Sequence, residues 1–403
     1  MRSFLPFGVL ALCAPALAGD DDGDRESQGV SGALQSWSAV PIARGKAASD
    51  GSLHVWGQMQ TWVTLSDQDV DVQVDPATYG DPEADPGFSI ARARFGIDGF
   101  LPGADAGWGQ VDYAVSVGLG APYDALTVGD ADIQIVDAFG RWAMPASFGT
   151  TSVAAGVQRV PFSRDAMTSS ARLVFQERAV STAWLVPGRD AGAVVGQSVR
   201  FTDDDAGPSV LVRGGLFNGN GDIFGDADPG LMASARGEFL MGEAYQTWSQ
   251  DLEPALGVGG SWLTNGELAT NTSSVEADLL ARYKWVTVTG ELVSSTISLK
   301  NSDIVAPPLL TETKRMGWHG QLSVFLPIED GGIEVAGRYA TLDDDADLEN
   351  LGDVQILHAG LTWRNLLSGF DVGGGYIHRN ETPSFDNDTI RLWMQVRPSA
   401  SLR

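Results

Sequence analysis

The segment LHVWGQMQTWVTL, residues 53–65, alternates apolar and polar side chains with a period of two. Leu53, Val55 and Met59 share one face, whereas His54 and Gln60 lie on the other. Successive side chains of a β-strand point to opposite faces, so the segment predicts a strand with one apolar and one polar side. The run extends over roughly 14 residues, which is long enough to cross a bilayer at a tilt.

The same alternation recurs to the end of the chain. In residues 88–99 it places Arg92, Arg94 and Asp98 together on the polar face. We predict strands near residues 51–65, 88–99, 108–118, 133–143, 151–160, 190–200, 209–218, 231–240, 255–263, 274–284, 286–294, 316–326, 332–340, 354–363, 370–378 and 389–396. The predicted fold class is all-β: a transmembrane antiparallel β-barrel of about 16 strands, the even number that a bacterial barrel needs.

The connections between these strands alternate in length. Long ones are predicted at 66–87, 119–132, 161–189, 219–230, 264–273, 295–315, 341–353 and 379–388. Short ones are predicted at 101–107, 144–150, 201–208, 327–331 and 364–369, with a tight reversal at Lys284 and Trp285; residues 241–254 are the misfit. Long extracellular loops and short periplasmic turns are typical of outer-membrane barrels, whereas a soluble β-sandwich does not sort its loops in this way.

The first 50 residues predict export. Arg2, an apolar stretch and the small residues Ala16 and Ala18 make residues 1–18 a signal peptide. Residues 19–50 are polar and small and are interpreted as a flexible periplasmic lead-in, followed by the β-barrel of residues 51–403. No later stretch approaches 18 continuous apolar residues, so a membrane protein of this sequence must cross with strands.

Charge narrows the choice of partners. The formal net charge is -26, which argues against a nucleic-acid partner. Residues 161–188 form an unusually long connection that carries Arg164, Arg172 and Arg178, with Arg189 just beyond it. This basic surplus in an acidic chain predicts that the segment hangs inside the barrel and narrows its pore.

Arginines on the polar faces of the strands are the main site candidates: Arg92, Arg94, Arg141, Arg213, Arg236, Arg282 and Arg338. A guanidinium carries a permanent charge and five donors, so a group of them can replace part of the hydration shell of an anion. The alternative is that each one pairs with a lumen acid such as Asp112, Asp137 or Glu238. The direction of Arg159 stays open, because it falls on the apolar phase of its strand.

The sequence gives little support for a catalytic or metal-binding site. The chain has four histidines and no GxGxxG, GK[ST] or HExxH motif, so we predict no enzyme, no cofactor and no catalytic or metal-binding residues. The acidic run Asp343–Asp347 lacks the glycine and terminal glutamate of a calcium-binding loop and is interpreted as solvated charge. Aromatic residues near strand ends are interpreted as interface girdles: Trp62, Trp108, Trp142, Trp262, Trp318, Trp363 and Tyr376.

Several segments together resemble phosphate-selective porins of the O and P type from Gram-negative outer membranes. They are FSIARARFGIDG (88–99), IVDAFG (135–140), GVQRVPF (156–162), PGRDAG (187–192) and GLFNGNG (215–221). The resemblance implies a 16-stranded barrel, commonly a homotrimer, that passes anions passively and is constricted by inward-folded loops. By motif, Arg92 and Arg94 match the arginine pair of the second strand, and Arg178 and Arg189 match positions in the third loop.

Two features depart from that family. The chain has only four lysines, Lys46, Lys284, Lys300 and Lys314, and its loops are acidic, so an approaching anion meets repulsion. Residues 397–403 also follow the last predicted strand, where many such proteins stop on a terminal aromatic residue.

The sequence therefore predicts an outer-membrane porin: a water-filled channel for passive diffusion of small solutes, with anions such as phosphate as candidates. Its predicted surroundings are outer-membrane lipid and lipopolysaccharide, and a homotrimer is the expected assembly. The alternative is a plugged barrel with a structural or adhesive role, and an outer-membrane hydrolase ranks third.

Overall fold

The fold is taken from a computed structural model of the chain. It describes residues 52–68, 87–101, 109–119, 133–202, 207–219, 221, 230–245, 253–267, 270–300, 312–328, 331–348, 353–367, 369–381 and 387–402. The predicted signal peptide, the lead-in and Trp108 lie outside the described residues. No helix within the described ranges is long and apolar enough to cross a membrane.

Antiparallel strands make up almost the whole of the described chain. They are β1 (Ser52–Gln68), β2 (Gly87–Phe100), β3 (Gln110–Leu119), β4 (Gln134–Ala146), β5 (Gly149–Arg159), β6 (Arg189–Arg200), β7 (Ser209–Phe217), β8 (Met232–Met241), β9 (Ala255–Asn265), β10 (Thr270–Tyr283), β11 (Val286–Leu299), β12 (Glu312–Ile328), β13 (Gly331–Asp343), β14 (Val354–Leu367), β15 (Phe370–Glu381), β16 (Asn387–Val396) and β17 (Ser399–Leu402). Each strand from β1 to β16 pairs with its neighbours in sequence, and β1 also pairs with both β16 and β17. The sheet is therefore closed on itself and has no free edge.

The last two strands are one strand with an interruption. Both pair with β1: Met59 faces Val396 in β16, and Leu53 faces Leu402 in β17. At the break, the amide of Gly57 donates to the carbonyl of Pro398 at 2.8 Å. The barrel thus has sixteen strands, which confirms the prediction. Residues 399–402, expected to trail beyond the last strand, instead complete the seam.

The two faces of the sheet have opposite character. In β10, Val275 and Leu279 are exposed on the outside, whereas Glu276 and Asp278 are buried inside. Apolar side chains stabilise a surface that meets hydrocarbon, and polar ones gather around the lumen. One assignment is wrong: Trp62 points inward and is buried, because it lies on the polar phase of β1 and packs below Arg391.

Connection lengths alternate as predicted in most places. Residues 147–148 and 284–285 are tight turns, and Lys284 takes a left-handed φ of 51°. Residues 242–254 remain the long exception on the short side. The connection predicted at 264–273 is wrong in length, since it is reduced to 266–269 by the extension of β9 and β10.

The connection between β5 and β6, residues 160–188, folds into the barrel; we call it loop 3. It contains the short helices α1 (Arg164–Met167) and α2 (Val180–Leu185), separated by a single 3-10 turn, Ser170–Arg172. Ser163 caps α1 by accepting the amide of Ala166, which satisfies one free donor at the helix start. Loop 3 supplies apolar side chains to a core that lies within the lumen: Phe162, Met167, Val180 and Leu185 pack with Phe217, Val293 and Leu342.

Candidate functional site: the constriction inside the barrel

Loop 3 crosses the lumen and docks on the opposite wall. Its start, residues 162–165, bonds to β8–β11, and its apex, residues 170–177, bonds to β1, β2, β13, β14 and β16. Helix α2 lies against β11, β12 and β13. Loop 3 therefore lies inside the barrel and narrows its lumen, as its arginine content predicted.

At the start of loop 3 lies a group of buried ion pairs, which we call the acid-bridged cluster: Arg164, Arg213, Arg236, Glu238, Glu276 and Asp278. Arg236 lies 2.9 Å from Glu276 and 2.5 Å from Asp278, and it donates to the carbonyl of Phe162 at 2.8 Å. Glu238 accepts from Arg213. Three arginines thus face three carboxylates, as buried charges require if they are not to cost several kcal/mol each.

Tyr245, in the connection after β8, completes this cluster. Its hydroxyl donates to Glu238 and accepts from Arg213 at 3.1 Å. Burial, followed by the negative charge of Glu238, raises the pKa of the Tyr245 hydroxyl. The phenol therefore keeps its proton and remains a donor.

Glu291 on β11 holds loop 3 with uncharged donors. Its carboxylate accepts from the hydroxyl of Ser163 at 2.6 Å, from the amide of Asp165 at 3.2 Å and from the hydroxyl of Thr182 at 2.9 Å. Because Ser163 precedes α1 and Thr182 lies in α2, a single carboxylate ties both helices of loop 3 to the wall.

At the apex, arginines of the wall donate to backbone carbonyls of loop 3. Arg92 donates to the carbonyl of Gln176 at 2.7 Å, and Arg338 donates to that of Glu177 at 2.8 Å. Gln176 has a left-handed φ of 65°, which is rare outside glycine and costs on the order of 1 kcal/mol, so surrounding contacts must hold it in place. Phe175 beside it stacks on His358, with ring centroids 3.9 Å apart.

A second group of charges lies between loop 3 and the strands β2, β4, β5 and β6. We call it the arginine cluster: Arg92, Arg94, Arg159, Arg178 and Arg189. Arg94 is close enough to Arg92, Arg178 and Arg189 for direct charge repulsion, and Arg159 is close to three of the same set. Asp137 accepts from Arg189 at 2.8 Å, and Asp165 lies 3.9 Å from Arg178. Among the described residues, the cluster therefore brings five guanidinium groups together beside these two carboxylates.

Part of the arginine cluster is open to water. The side chains of Arg189 and Asp137 are 21% and 19% exposed, whereas those of Arg213 and Glu238 are fully buried. The remaining members also hold loop 3: Arg94 donates to the Ser170 hydroxyl at 2.9 Å, and Arg159 and Arg178 donate to the Thr168 carbonyl at 2.6 and 2.8 Å. This group combines surplus positive charge with access to the lumen.

All nine arginines predicted as site residues lie inside the barrel, but in different settings. Arg92, Arg94, Arg178 and Arg189 join the arginine cluster, and Arg213 and Arg236 join the acid-bridged cluster. Arg141 pairs with Asp112 at 2.8 Å, Arg282 donates to the carbonyl of Glu253 at 3.0 Å, and Arg338 holds the apex. The alternative of pairing with lumen acids therefore describes Arg141, Arg213 and Arg236, and it also applies to Arg189, which pairs with Asp137.

Two important arginines escaped the sequence pattern. Arg159, the last residue of β5, is buried inside the barrel although it falls on the apolar phase of the strand. Gly156, three residues earlier, has a φ of 125°. A Cβ at Gly156 would lie 2.1 Å from the carbonyl oxygen of Ala138, so glycine is required there. Arg364 lies on β14 beyond the predicted strand end at residue 363.

A closed sixteen-stranded barrel, apolar outside and constricted by an inward loop, defines the class of outer-membrane porins. The family model described as phosphate-selective porin O and P matches residues 64–239. This match confirms the family resemblance carried by the sequence motifs, and it covers β2–β7, loop 3 and most of β8. No curated protein sequence matches the chain.

Solved structures support the same fold. OmpT of Vibrio cholerae, in its trimer form, is 10% identical with a TM-score of 0.55, covering 87% of this chain and 100% of that one. An anion-selective porin from Comamonas acidovorans is 12% identical with a TM-score of 0.54, covering 87% and 100%. The outer membrane channel DcaP of Acinetobacter baumannii is 12% identical with a TM-score of 0.53, covering 89% and 100%.

Proposed function

We propose that this protein is an outer-membrane porin that conducts small solutes passively and prefers small anions. The observation that carries the preference is the arginine cluster, in which five guanidinium groups lie close together beside the carboxylates of Asp137 and Asp165. Guanidinium groups stay charged at any physiological pH and can replace water around an anion. The charge balance of this cluster therefore favours anions over cations at the narrowest point.

The path we propose runs between loop 3 and the strands β2–β6. This side carries the part of the arginine cluster that retains exposure, Arg189 and Asp137. A solute on this path would meet Arg92, Arg94, Arg178 and Arg189. Arg213 and Arg236 form ion pairs with buried carboxylates instead. The other three would add to the electrostatic potential of the lumen without touching the solute. Arg141 is bonded to Asp112, Arg282 to the carbonyl of Glu253, and Arg338 to loop 3.

The expected assembly is a homotrimer surrounded by outer-membrane lipid and lipopolysaccharide. OmpT, which shares this fold, is found as a trimer, and the Comamonas protein with the same fold is anion-selective. The family match and the fold point to a channel rather than an enzyme.

Planar bilayers test the proposal. The folded protein should insert with stable conductance steps, and under a potassium chloride gradient the reversal potential should have the sign of anion preference. Cation selectivity would overturn the anion part. Added phosphate should then reduce chloride current if phosphate shares the path, and unchanged current would remove phosphate from the solutes.

A second candidate function is a plugged barrel with a structural or adhesive role. It is favoured by the many bonds that tie loop 3 to strands around the wall. A protein whose electrophoretic mobility shifts on heating is folded. If such a folded protein never conducts in bilayers, the result would support the plugged barrel against the channel.

A further inference from the structure

A polar network lies beneath the apex of loop 3, on the strands that flank the barrel seam. We call it the apex cradle: Gln58, Gln60, Glu334, Arg364, Asp371 and Gln395. Its side chains come from β1, β13, β14, β15 and β16. They are all at most 5% exposed, so their bonds are shielded from competition by water.

Arg364 is the centre of the apex cradle. Its guanidinium donates to Glu334 at 2.6 and 2.8 Å and to Asp371 at 3.3 Å. The same group donates to the carbonyls of Leu173 and Val174 at 3.2 and 3.1 Å. Its side chain is fully buried. The two carboxylates thus fix the plane of the guanidinium, and the guanidinium in turn fixes two consecutive carbonyls of loop 3.

Gln395 extends the cradle to the seam. Its amide donates to the carbonyl of Ala171 at 3.1 Å and to Asp371 at 3.2 Å, while its oxygen accepts from Gln58 at 3.1 Å and from Gln60 at 2.5 Å. Gln60 donates onward to the carbonyl of Ser170 at 3.2 Å. Four carbonyls between residues 170 and 174 are therefore held by side chains of the closing strands.

The apex also positions part of the arginine cluster. Arg94 donates to the hydroxyl of Ser170, and Arg92 donates to both Gln60 and the carbonyl of Gln176. A shift of residues 170–176 would therefore remove the acceptors that orient Arg92 and Arg94. The place of the apex and the direction of these two charges are linked through the same bonds.

We propose that Arg364 is a positioning residue: by holding the apex of loop 3 it sets the width of the constriction and the anion preference, without touching the solute. This inference rests on the proposed channel function. Its chemistry depends on the fork of the guanidinium, which serves carboxylates and carbonyls at once, whereas an ammonium group on a lysine offers one compact donor site.

The test measures unit conductance and reversal potential in planar bilayers for R364K and for the double variant R364Q/E334Q. The double variant avoids leaving Glu334 as a buried charge facing a neutral partner. Both should show a roughly twofold rise in unit conductance and a smaller reversal potential, because the constriction widens and Arg92 and Arg94 lose their acceptors. If charge alone mattered, R364K would restore wild-type values, and that result would overturn the proposal.

Two further variants keep the test decisive. Q395M removes the bonds to Ala171 and to Gln60 without changing any charge, and it should shift both readouts in the same direction by a smaller amount. R379Q/E381Q neutralises another buried pair, which lies along β15 alone, and it should leave both readouts unchanged.

The outcomes separate the two levels of the hypothesis. A wild-type protein that does not conduct contradicts the proposed function. Wild-type currents in folded R364K and Q395M overturn the role of Arg364 while leaving the channel intact. If the double variant fails to fold, R364K and Q395M decide alone.

Discussion

The acid-bridged cluster and the arginine cluster lie in the same lumen and use the same cation, yet they differ in charge balance. In the first, three arginines face Glu238, Glu276 and Asp278. In the second, five arginines face Asp137 and Asp165. The first has as many carboxyl groups as guanidinium groups and is buried, whereas the second has more guanidinium groups and is partly exposed.

The difference shows that the inward direction of an arginine does not define its role. A buried, fully paired guanidinium fastens loop 3, as Arg236 does through the carbonyl of Phe162. A partly exposed guanidinium in a cluster that holds more arginines than carboxylates creates a positive potential in water, as we propose for Arg189. Stability should therefore depend most on the first cluster, and ion preference on the second.

The largest effect is expected from E238Q in the acid-bridged cluster. It removes the carboxylate that serves Arg213 and Arg236, and repulsion between these buried arginines should lower the free energy of unfolding by about 3–5 kcal/mol. Urea titration of the folded barrel, followed by tryptophan fluorescence, measures the change. E312Q, at a site about half exposed, is the control and should leave the midpoint in place. An unchanged midpoint for E238Q would show that the cluster does not stabilise the barrel.

In the arginine cluster, R189Q should change selectivity more than stability. It removes a charge at the exposed end of the cluster, so the ratio of anion to cation permeability should fall roughly three- to fivefold, as expected for a charge acting over a few ångströms in a hydrated medium. Reversal potentials at low salt give this ratio. K284Q, in a turn between strands, is the matched loss of one positive charge and should leave the ratio as it was. Equal effects of the two variants would contradict a local role for the cluster.

The opposite sign is expected for D137N. It removes one of the two carboxylates that face the arginine cluster, so the anion preference should rise by roughly twofold at low salt. At 1 M salt the Debye length is about 3 Å, so the difference from wild type should shrink. A lower anion preference would mean that Asp137 orients Arg189 for permeation rather than offsetting its charge.

The smallest effect is expected for K314A, which removes an exposed lysine outside both clusters. Lys314 is 53% exposed and lies 3.7 Å from Glu312 and 3.8 Å from Asp347. Such pairs contribute about 0–1 kcal/mol, so both the unfolding midpoint and the reversal potential should stay close to wild type. A large shift in either would show that charge in these loops, rather than in the lumen, governs the channel.

Much of the barrel could be predicted because its signal is local. The side chains of β1 and β10 alternate with a period of two, and this alternation follows directly from strand geometry in contact with lipid. Errors arose where the signal depends on a distant partner. Residues 399–402 are too few to indicate a strand by themselves, and they form one by pairing with Leu53–Trp56 across the seam.

The site could be predicted only in part. The excess of basic residues in loop 3 and the inward direction of Arg92 and Arg94 could be predicted from the sequence. In the structure both arginines bond to loop 3. The inward direction of Arg159 could not be predicted, because its acceptors are backbone carbonyls of loop 3, Ala166 and Thr168, whose position depends on the folded loop. The partners of Arg364 could not be predicted from the sequence either, since Leu173 and Val174 lie almost two hundred residues away in the chain.

The sequence by itself determined the all-β class, the inward polar face and the unusual charge of loop 3, because each depends on residues close together in the chain. Only the tertiary structure decided which arginines are neutralised. Glu238 and Asp137 are single carboxylates on similar polar faces, but closure of the barrel surrounds one with buried partners and leaves the other beside water. The charge that a solute meets is the remainder after this pairing, and that remainder depends on contacts across the whole barrel.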